Sequence, residues 1–389
     1  MKKVISTERR PIKLWLEDME EGALAQAKNL ANLPFIYKWV AIMPDSHQGY
    51  GMPIGGVIAT EGVIIPNAVG VDIGCGMCAL KLPITVDEIT SHLKEIVGRI
   101  RETIPVGFSH HEEAQDDSWM PDREVREDWW VIPDQYESAR KQVGTLGGGN
   151  HFIEIQADED DNVWLMIHSG SRNLGYKVAK HYNDLAKKMN ELWHTSIPKK
   201  HDLAFLPIGT KEAGKYIEEM KYCTEFAKCN REHMLAYVLD IFMDYFSNVS
   251  MEGLINIAHN YASLENHFGK NVWVHRKGAT SAKEGELGII PGSQGTKSYI
   301  VRGKGNKDSF MSCSHGAGRT MGRKQAQREL NLEDEQKRLD EQGILHSIRG
   351  VSDLDEAPSA YKDINIVMEN QTDLVEIITE LRPLAVVKV

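Results

Sequence analysis

The chain has 389 residues, 41% of them hydrophobic and 26% charged, which suits one large core or two ordinary domains and excludes a disordered chain. A net charge of −11 argues against a general nucleic-acid binder. Five cysteines, an odd number in a long chain, argue against a disulfide framework and leave metal binding, reactivity or burial.

Charge is unevenly spread. Residues 109–137 hold ten acidic and two basic residues, whereas 270–324 hold eleven basic and three acidic ones. Because fields are screened within about 10 Å, a basic stretch on an acidic chain can still hold phosphates. The N-terminus, MKKVISTERRPIKLW, has no apolar segment behind its basic residues, and the most apolar run, AYVLDIFMDYF, is broken by Asp240 and Asp244. A cytoplasmic protein with no membrane partner is expected.

Apolar runs between glycines predict buried strands across 34–82, in FIYKWVAIMPD, PIGGVIAT, GVIIPNAVGVDIG and MCALKL. Val86, Ile89, Leu93, Ile96, Val97 and Ile100 share one helical face. The acidic stretch 109–137 reads as a loop, and FIEIQA and VWLMIH as a strand pair. From about 175 to 250 the spacing is helical, and Ile217, Met220, Phe226, Met234, Val238 and Ile241 recur every three to four residues. Short strands return over 254–302. A charged helix is expected over 320–342, then two short helices over 359–382 and a final strand, LAVVKV. Strand-rich ends around a helical middle predict one α+β domain over 1–389, with mixed sheets around a central cleft and the helices as an insertion.

Six motifs carry chemistry. GVDIGCGMC places Asp72 and Cys75 among glycines that let the backbone fold around an ion, while Cys75 and Cys78 form a C-x-x-C that reads equally as a buried strand–turn. GTLGGGNHFIEI puts Asn150, His151 and Glu154 after a Gly-rich turn able to present N–H groups to phosphate. MIHSGSRNLG ends a strand on His168 and offers Arg172 as a phosphate fork. IAHNYAS ends another run on His259. Asp45 and His47 in MPDSHQGYG form an Asp-x-His pair, read either as a carboxylate orienting an imidazole or as a simple turn. SCSHGAGR sets His315 among Ser, Gly and Ala, with nothing bulky in sequence to shield it. A lone histidine at the end of an apolar run, such as His168 or His259, is more often structural than a ligand, and for His151 a hydrogen-bonded hairpin histidine is an equal alternative. Together with Asp72 and Cys75 they supply enough donors for one or two transition-metal ions, although spacing cannot show that they converge.

Taken in order over nearly the whole chain, these motifs, with RKGATSA, GIIPGSQG and the C-terminal segment, resemble the RtcB family of GTP-dependent RNA-splicing ligases. The resemblance implies that His315 is a nucleophile that takes GMP from GTP as a covalent phosphoramidate. It implies Asp72, Cys75, His151, His168 and His259 as ligands, with Cys75 bridging two Mn²⁺ ions. A mixed O/N/S set suits zinc or cobalt at least as well. Asp45 matches the carboxylate that holds the histidine's tautomer. Asn150, Glu154, Ser293, Ser298, Gly316, Ala317, Gly318, Tyr361 and Lys388 match nucleotide positions, and Arg172 and Arg323 match phosphate or RNA contacts. The implied reaction moves GMP to an RNA 3′-phosphate, and a 5′-hydroxyl then displaces it, in tRNA splicing or RNA repair. Ends carrying a 2′,3′-cyclic phosphate are opened first. RNA and GTP are the expected partners of a monomer, with an activating helper protein, and the basic stretch 270–324 is the expected RNA-facing surface.

Two other readings compete. A phosphoesterase acting on phosphorylated nucleic-acid ends would use the same metals without needing His315. A redox or metal-storage protein would depend on Cys78 instead.

Overall fold

The computed structural model describes residues 1–389. Two sheets hold most of the strands. The first has six strands in the order Lys3–Ile5, Ile12–Leu14, Ile36–His47, Ile54–Thr60, Lys270–Lys277, Asn260–His267. All its pairs are antiparallel except Ile12–Leu14 with Ile36–His47. The second has seven strands in the order Ile255–Ala258, Gly76–Thr85, Asn162–Ser169, Phe152–Ala157, Val375–Val387, Ser298–Gly303, Leu287–Ile290, all antiparallel. The result is a single mixed α+β domain, as the element pattern predicts. Strands from both ends of the chain lie side by side, so neither sheet can form until distant segments meet.

Two helices cover one face of the second sheet. Ile96, Val97 and Ile100 of the helix Leu93–Thr103, and Met234, Leu235 and Val238 of the helix Lys211–Met243, bury against Leu80, Leu82, Ile153, Ile155, Leu165 and Ile167. Burying each such side chain contributes about 1.5–3 kcal/mol. The long helix starts where Thr210 accepts a hydrogen bond from the Ala213 N–H. A second helix, Arg172–Leu192, lies beside it. The acidic stretch is partly ordered by this helical face: Arg123 pairs with Glu218 and Glu225, and the helix Ile132–Arg140 begins within it.

Three expectations change. The run GVIIPNAVGVDIG is not one strand: Val63–Ile64 pair briefly, Pro66 opens a helical turn, and 69–75 form the loop that carries Asp72 and Cys75. The helices expected over 86–103 and 320–342 are each broken in two, the second at Asn331, which caps its own new helix. The two short helices expected over 359–382 are one helix, Ile364–Glu369, and a 13-residue strand, Val375–Val387. The β-branched run Val375, Ile377, Ile378, Thr379 favours strand. Pro383, read as a terminator, sits at a register irregularity where a missing N–H is tolerated. The strand changes partner between Leu381, paired with Ser298, and Arg382, paired with Ala157, and it delivers Lys388 to the site.

Candidate active site

Residues 255–261 step from the second sheet to the first, and the crossing point is His259. Its main-chain N–H donates to the Cys75 carbonyl, and its own carbonyl accepts from Ala279. The candidate ligands gather here. His151 Nε2 lies 3.1 Å from Asp72 Oδ2 and 3.5 Å from Cys75 Sγ. His168 Nε2 lies 3.3 Å from Cys75 Sγ and 3.3 Å from His259 Nε2. All but Asp72 are buried as residues.

The tautomers indicate what this cluster suits. His151 Nδ1 faces the Leu146 carbonyl and His168 Nδ1 the Asn150 carbonyl, at 2.9 and 3.1 Å. A carbonyl only accepts, so both Nδ1 atoms carry the proton and both Nε2 atoms point inward, that of His168 with its lone pair free and that of His151 donating to Asp72 until an ion takes the place of its proton. Burial pushes His168 and His259 well below the usual imidazole range, which keeps them neutral. Burial also pushes the Cys75 thiol well above its usual range, and Asp72 beside it adds to this. Burial works against ionised Asp72, but the hydrogen bond and charge of His151 outweigh it and hold the carboxyl below its ordinary value. Inward lone pairs, a thiol and a carboxylate within hydrogen-bond range of one another fit a divalent transition metal. Gly170 makes room for it: a Cβ there would come within 2.2 Å of Asp72 Oδ1.

His315 follows the short strand Ser312–Ser314, and its ring centre is 4.7 Å from that of His259. Its Nδ1 is 2.6 Å from Asp45 Oδ2, and the main-chain N–H groups of His315 and Gly316 donate to the same oxygen at 3.1 and 3.3 Å. Asp45 is fully buried and its other oxygen has no partner. A carboxylate here accepts a hydrogen bond from Nδ1–H and leaves the Nε2 lone pair for chemistry. Gly318 allows this contact: it sits at φ +77°, and a Cβ would fall 2.0 Å from the Asp45 carbonyl oxygen. His315 is less bare than its sequence neighbours imply. Its side chain is 13% exposed, at the floor of a cleft of ≈ 850 Å³, with Ile54, His259 and Gly278 about it.

Asn150, Glu154, Ser293, Gly316, Ala317, Gly318, Arg323, Tyr361 and Lys388 line that cleft with His315, Asp72, Cys75, His168 and His259. Ser298 and Arg172 do not. Ser298 is buried, accepting from the Gly292 N–H and the Gln156 amide. Arg172 braces the Gly-rich turn by donating to Thr145 Oγ1 and the Gly107 carbonyl. Glu154 is buried and its carboxyl is pushed up to about 8 by that burial, against the pull of Gln156 and Lys388.

Glu356 carried no signal in the sequence. It binds Arg319, Arg323 and Lys388 at 3.2, 2.6 and 2.8 Å and accepts from the Tyr361 hydroxyl at 2.6 Å. Burial raises its pKa, but Lys388 and Arg323 win and bring it to about 2. Asn230 and Arg231, adjacent on the long helix, were missed as well. Asn230 accepts from the Gly144 and Thr145 N–H groups and donates to Thr145, Ser169 and Gly170. Arg231 donates to the carbonyls of Gly74 and Ser169 and to the Asn256 side chain. Between them they tie the segments bearing Asp72, Cys75, His151, His168 and His259. A polar pair on an otherwise apolar helical face was the available clue.

The basic stretch 270–324 is not a uniform RNA-facing surface. Arg276 and Lys277 are buried. Lys270, Arg276, Lys297, Arg302, Arg319 and Arg323 each have a carboxylate partner.

Fold and site together define an enzyme class: a metal-type donor cluster beside an acid-paired histidine at the floor of a polar cleft. A family model described as tRNA-splicing ligase RtcB matches residues 26–389. Among curated relatives, the RNA-splicing ligase RtcB of Escherichia coli K12 is 40% identical, with 99% of each chain covered. The tRNA-splicing ligases RtcB of Thermococcus kodakarensis and Pyrobaculum aerophilum are each 34% identical, over 95% and 96% of this chain and 91% and 92% of theirs. The chain belongs to the RtcB family and is a ligase. None of its helices is long and apolar enough to cross a membrane.

Proposed function

We propose that the chain is a GTP- and Mn²⁺-dependent RNA ligase that joins 3′-phosphate or 2′,3′-cyclic phosphate ends to 5′-hydroxyl ends, in tRNA splicing or RNA repair. One observation carries the reading: His315 Nδ1 is held by Asp45 at 2.6 Å, which leaves Nε2 as the free nucleophile beside the donor cluster. Family membership supports RNA as the substrate.

His315 Nε2 attacks the α-phosphorus of GTP; the bond to pyrophosphate breaks and pyrophosphate leaves. The Nδ1 proton stays on the ring, and the Asp45 carboxylate that accepts its hydrogen bond stabilises the positive charge that develops there. An RNA 3′-phosphate oxygen then attacks the same phosphorus, and the P–N bond electrons return to Nε2. Last, a 5′-hydroxyl oxygen attacks the RNA phosphorus. GMP leaves with the bridging oxygen, and the hydroxyl proton passes to solvent. Asp72, Cys75, His151, His168 and His259 would hold the metal, which supplies charge stabilisation at phosphate oxygens when bound. Glu154 and Tyr361 face the nucleoside in this reading, with Ser293 and Lys388 beside them. Arg323 serves phosphate.

The test is covalent labelling. The protein is incubated with Mn²⁺ and GTP labelled at the α-phosphate, then run on a denaturing gel beside His315→Ala. Acid-labile label on the wild type and none on the variant is the expected outcome. A folded, metal-loaded wild type that takes no label would favour a phosphoesterase using the same cluster.

A further inference from the structure

Besides the donor cluster and the segment 316–325, which carries Arg319, Arg323 and Lys324, two groups of residues line the cleft. Phe152, Glu154, Ser293, Tyr361 and Lys388 belong to the second sheet and the segments around its end, and they are the nucleotide side of the proposed function. His47, Gln48, Gly49, Tyr50, Ile54 and Gly278 belong to the first sheet and its loops, and that reading gives them no role. His315 meets the second group at Gly278, where a Cβ would lie 3.0 Å from its ring.

Tyr50 is unlike the rest of this second wall. It is 75% exposed, and it alone among the exposed large apolar side chains lines the cleft. A bare ring normally rides on a loose loop, but this loop is fastened at four places. The buried ammonium of Lys277 donates to the Tyr50 carbonyl at 2.5 Å and to the Asn67 carbonyl at 3.0 Å. Gln26 both donates to the Gly49 carbonyl and accepts from its N–H. The Gln48 N–H donates to Glu20. Gly51 sits at φ +69°, and a Cβ there would come within 2.6 Å of the Asp202 carbonyl oxygen, so the chain is packed against its neighbour. The backbone is held while the ring is left to solvent. These six residues include no Lys or Arg; the cations of the cleft are Arg319, Arg323, Lys324 and Lys388. What this wall offers is an aromatic face, which suits a nucleobase.

The direction of displacement selects the strand. In-line transfer places the attacking and leaving oxygens on opposite sides of phosphorus. GMP leaves toward the nucleotide side, so the attacking 5′-hydroxyl arrives from the other, and Tyr50 is the exposed ring that lines the cleft outside the nucleotide group. We infer that Tyr50 is the platform on which the terminal base of the 5′-hydroxyl strand stacks, placing that hydroxyl for attack. This rests on the ligase reading above.

Two measurements test it. The first needs no catalysis. An oligoribonucleotide with a 5′-hydroxyl and a fluorescent 2-aminopurine as its first base is titrated with wild type, Tyr50→Phe and Tyr50→Ala. Stacking quenches the fluorophore, so quenching by the first two and none by Tyr50→Ala is expected. The second is ligation with separate strands. Tyr50→Ala should raise KM for the 5′-hydroxyl strand roughly five- to a hundredfold, the range for one lost base–aromatic stack. KM for the 3′-phosphate strand and guanylylation of His315 should stay as in the wild type, which also reports that the variant is folded. Tyr50→Phe should ligate like the wild type, and an acceptor lacking its first base should make wild type and Tyr50→Ala alike. Unchanged quenching and unchanged acceptor KM in Tyr50→Ala would overturn the inference, as would a shift confined to the 3′-phosphate strand. Absence of guanylylation in the wild type would instead defeat the ligase reading, and the quenching result would still decide the role of Tyr50.

Discussion

At the residue scale the site depends on where protons sit. Asp45 accepts from three N–H groups with one oxygen, so it both orients His315 and fixes the turn that carries it. Asp45→Asn preserves the shape but removes the charge facing the ring that becomes positive. We expect guanylylation to fall by about 10²-fold or more, with metal content unchanged by elemental analysis; equal loss of both would make Asp45 a general structural residue. Glu154 gives a pH prediction. Its carboxyl is raised to about 8, so near pH 7 it is mostly protonated in the free protein. Guanine presents N–H donors on one edge, which favour the ionised form. GTP binding should therefore release a proton, and affinity should rise with pH until about 8 and then level off. Calorimetry in two buffers of different ionisation enthalpy measures this directly. Glu154→Gln should abolish the proton release and weaken the preference for GTP over ATP. Heats that are the same in both buffers would contradict the assignment.

At the element scale the long helix Lys211–Met243 does more than cover a sheet. Its periodicity was readable because apolar side chains recur at helical spacing, and so were the strand that starts after His151 and the strand that carries His168, as apolar runs bounded by glycine or polar residues. The first half of the C-terminal strand was misread as helix because Pro383 reads as a helix terminator in sequence yet sits at a register irregularity inside a strand, and only the partner strands decide between the two. Asn230 and Arg231 escaped notice because a polar pair on a helix reads as solvent-facing until the fold shows both buried. Arg231→Met would leave two carbonyls and the Asn256 side chain without a donor, at about 1–3 kcal/mol for each group that stays buried and unpaired. We expect a lower melting temperature and, in the Co²⁺-loaded protein, a weakened thiolate-to-cobalt absorption band, with partial recovery of the band in Arg231→Lys. A variant that melts lower yet keeps the full cobalt band would show that Arg231 stabilises the helix without positioning the ligands.

At the scale of the whole molecule the site lies on the seam between two sheets, and this was beyond the reach of sequence spacing. Asp72 and Cys75 are three residues apart and readable as a pair, but His151 and His168 come from segments 76 and 93 positions away from Cys75. His259 meets them because the chain crosses from one sheet to the other at that residue. What binds the cluster therefore ties the two sheets together, and burying lone pairs without a cation weakens the seam. A ligand that binds only the folded chain adds about 2.7 kcal/mol of stability at a hundred times its dissociation constant. Mn²⁺ should accordingly raise the melting temperature in a concentration-dependent way, and Cys75→Ala should flatten that dependence. Tyr50→Ala, on the far wall of the same cleft, should leave the dependence intact. A wild-type melting temperature indifferent to Mn²⁺, with no change when Cys75 is replaced, would mean that the donors converge for packing alone and that the seam is held by the sheets without a metal.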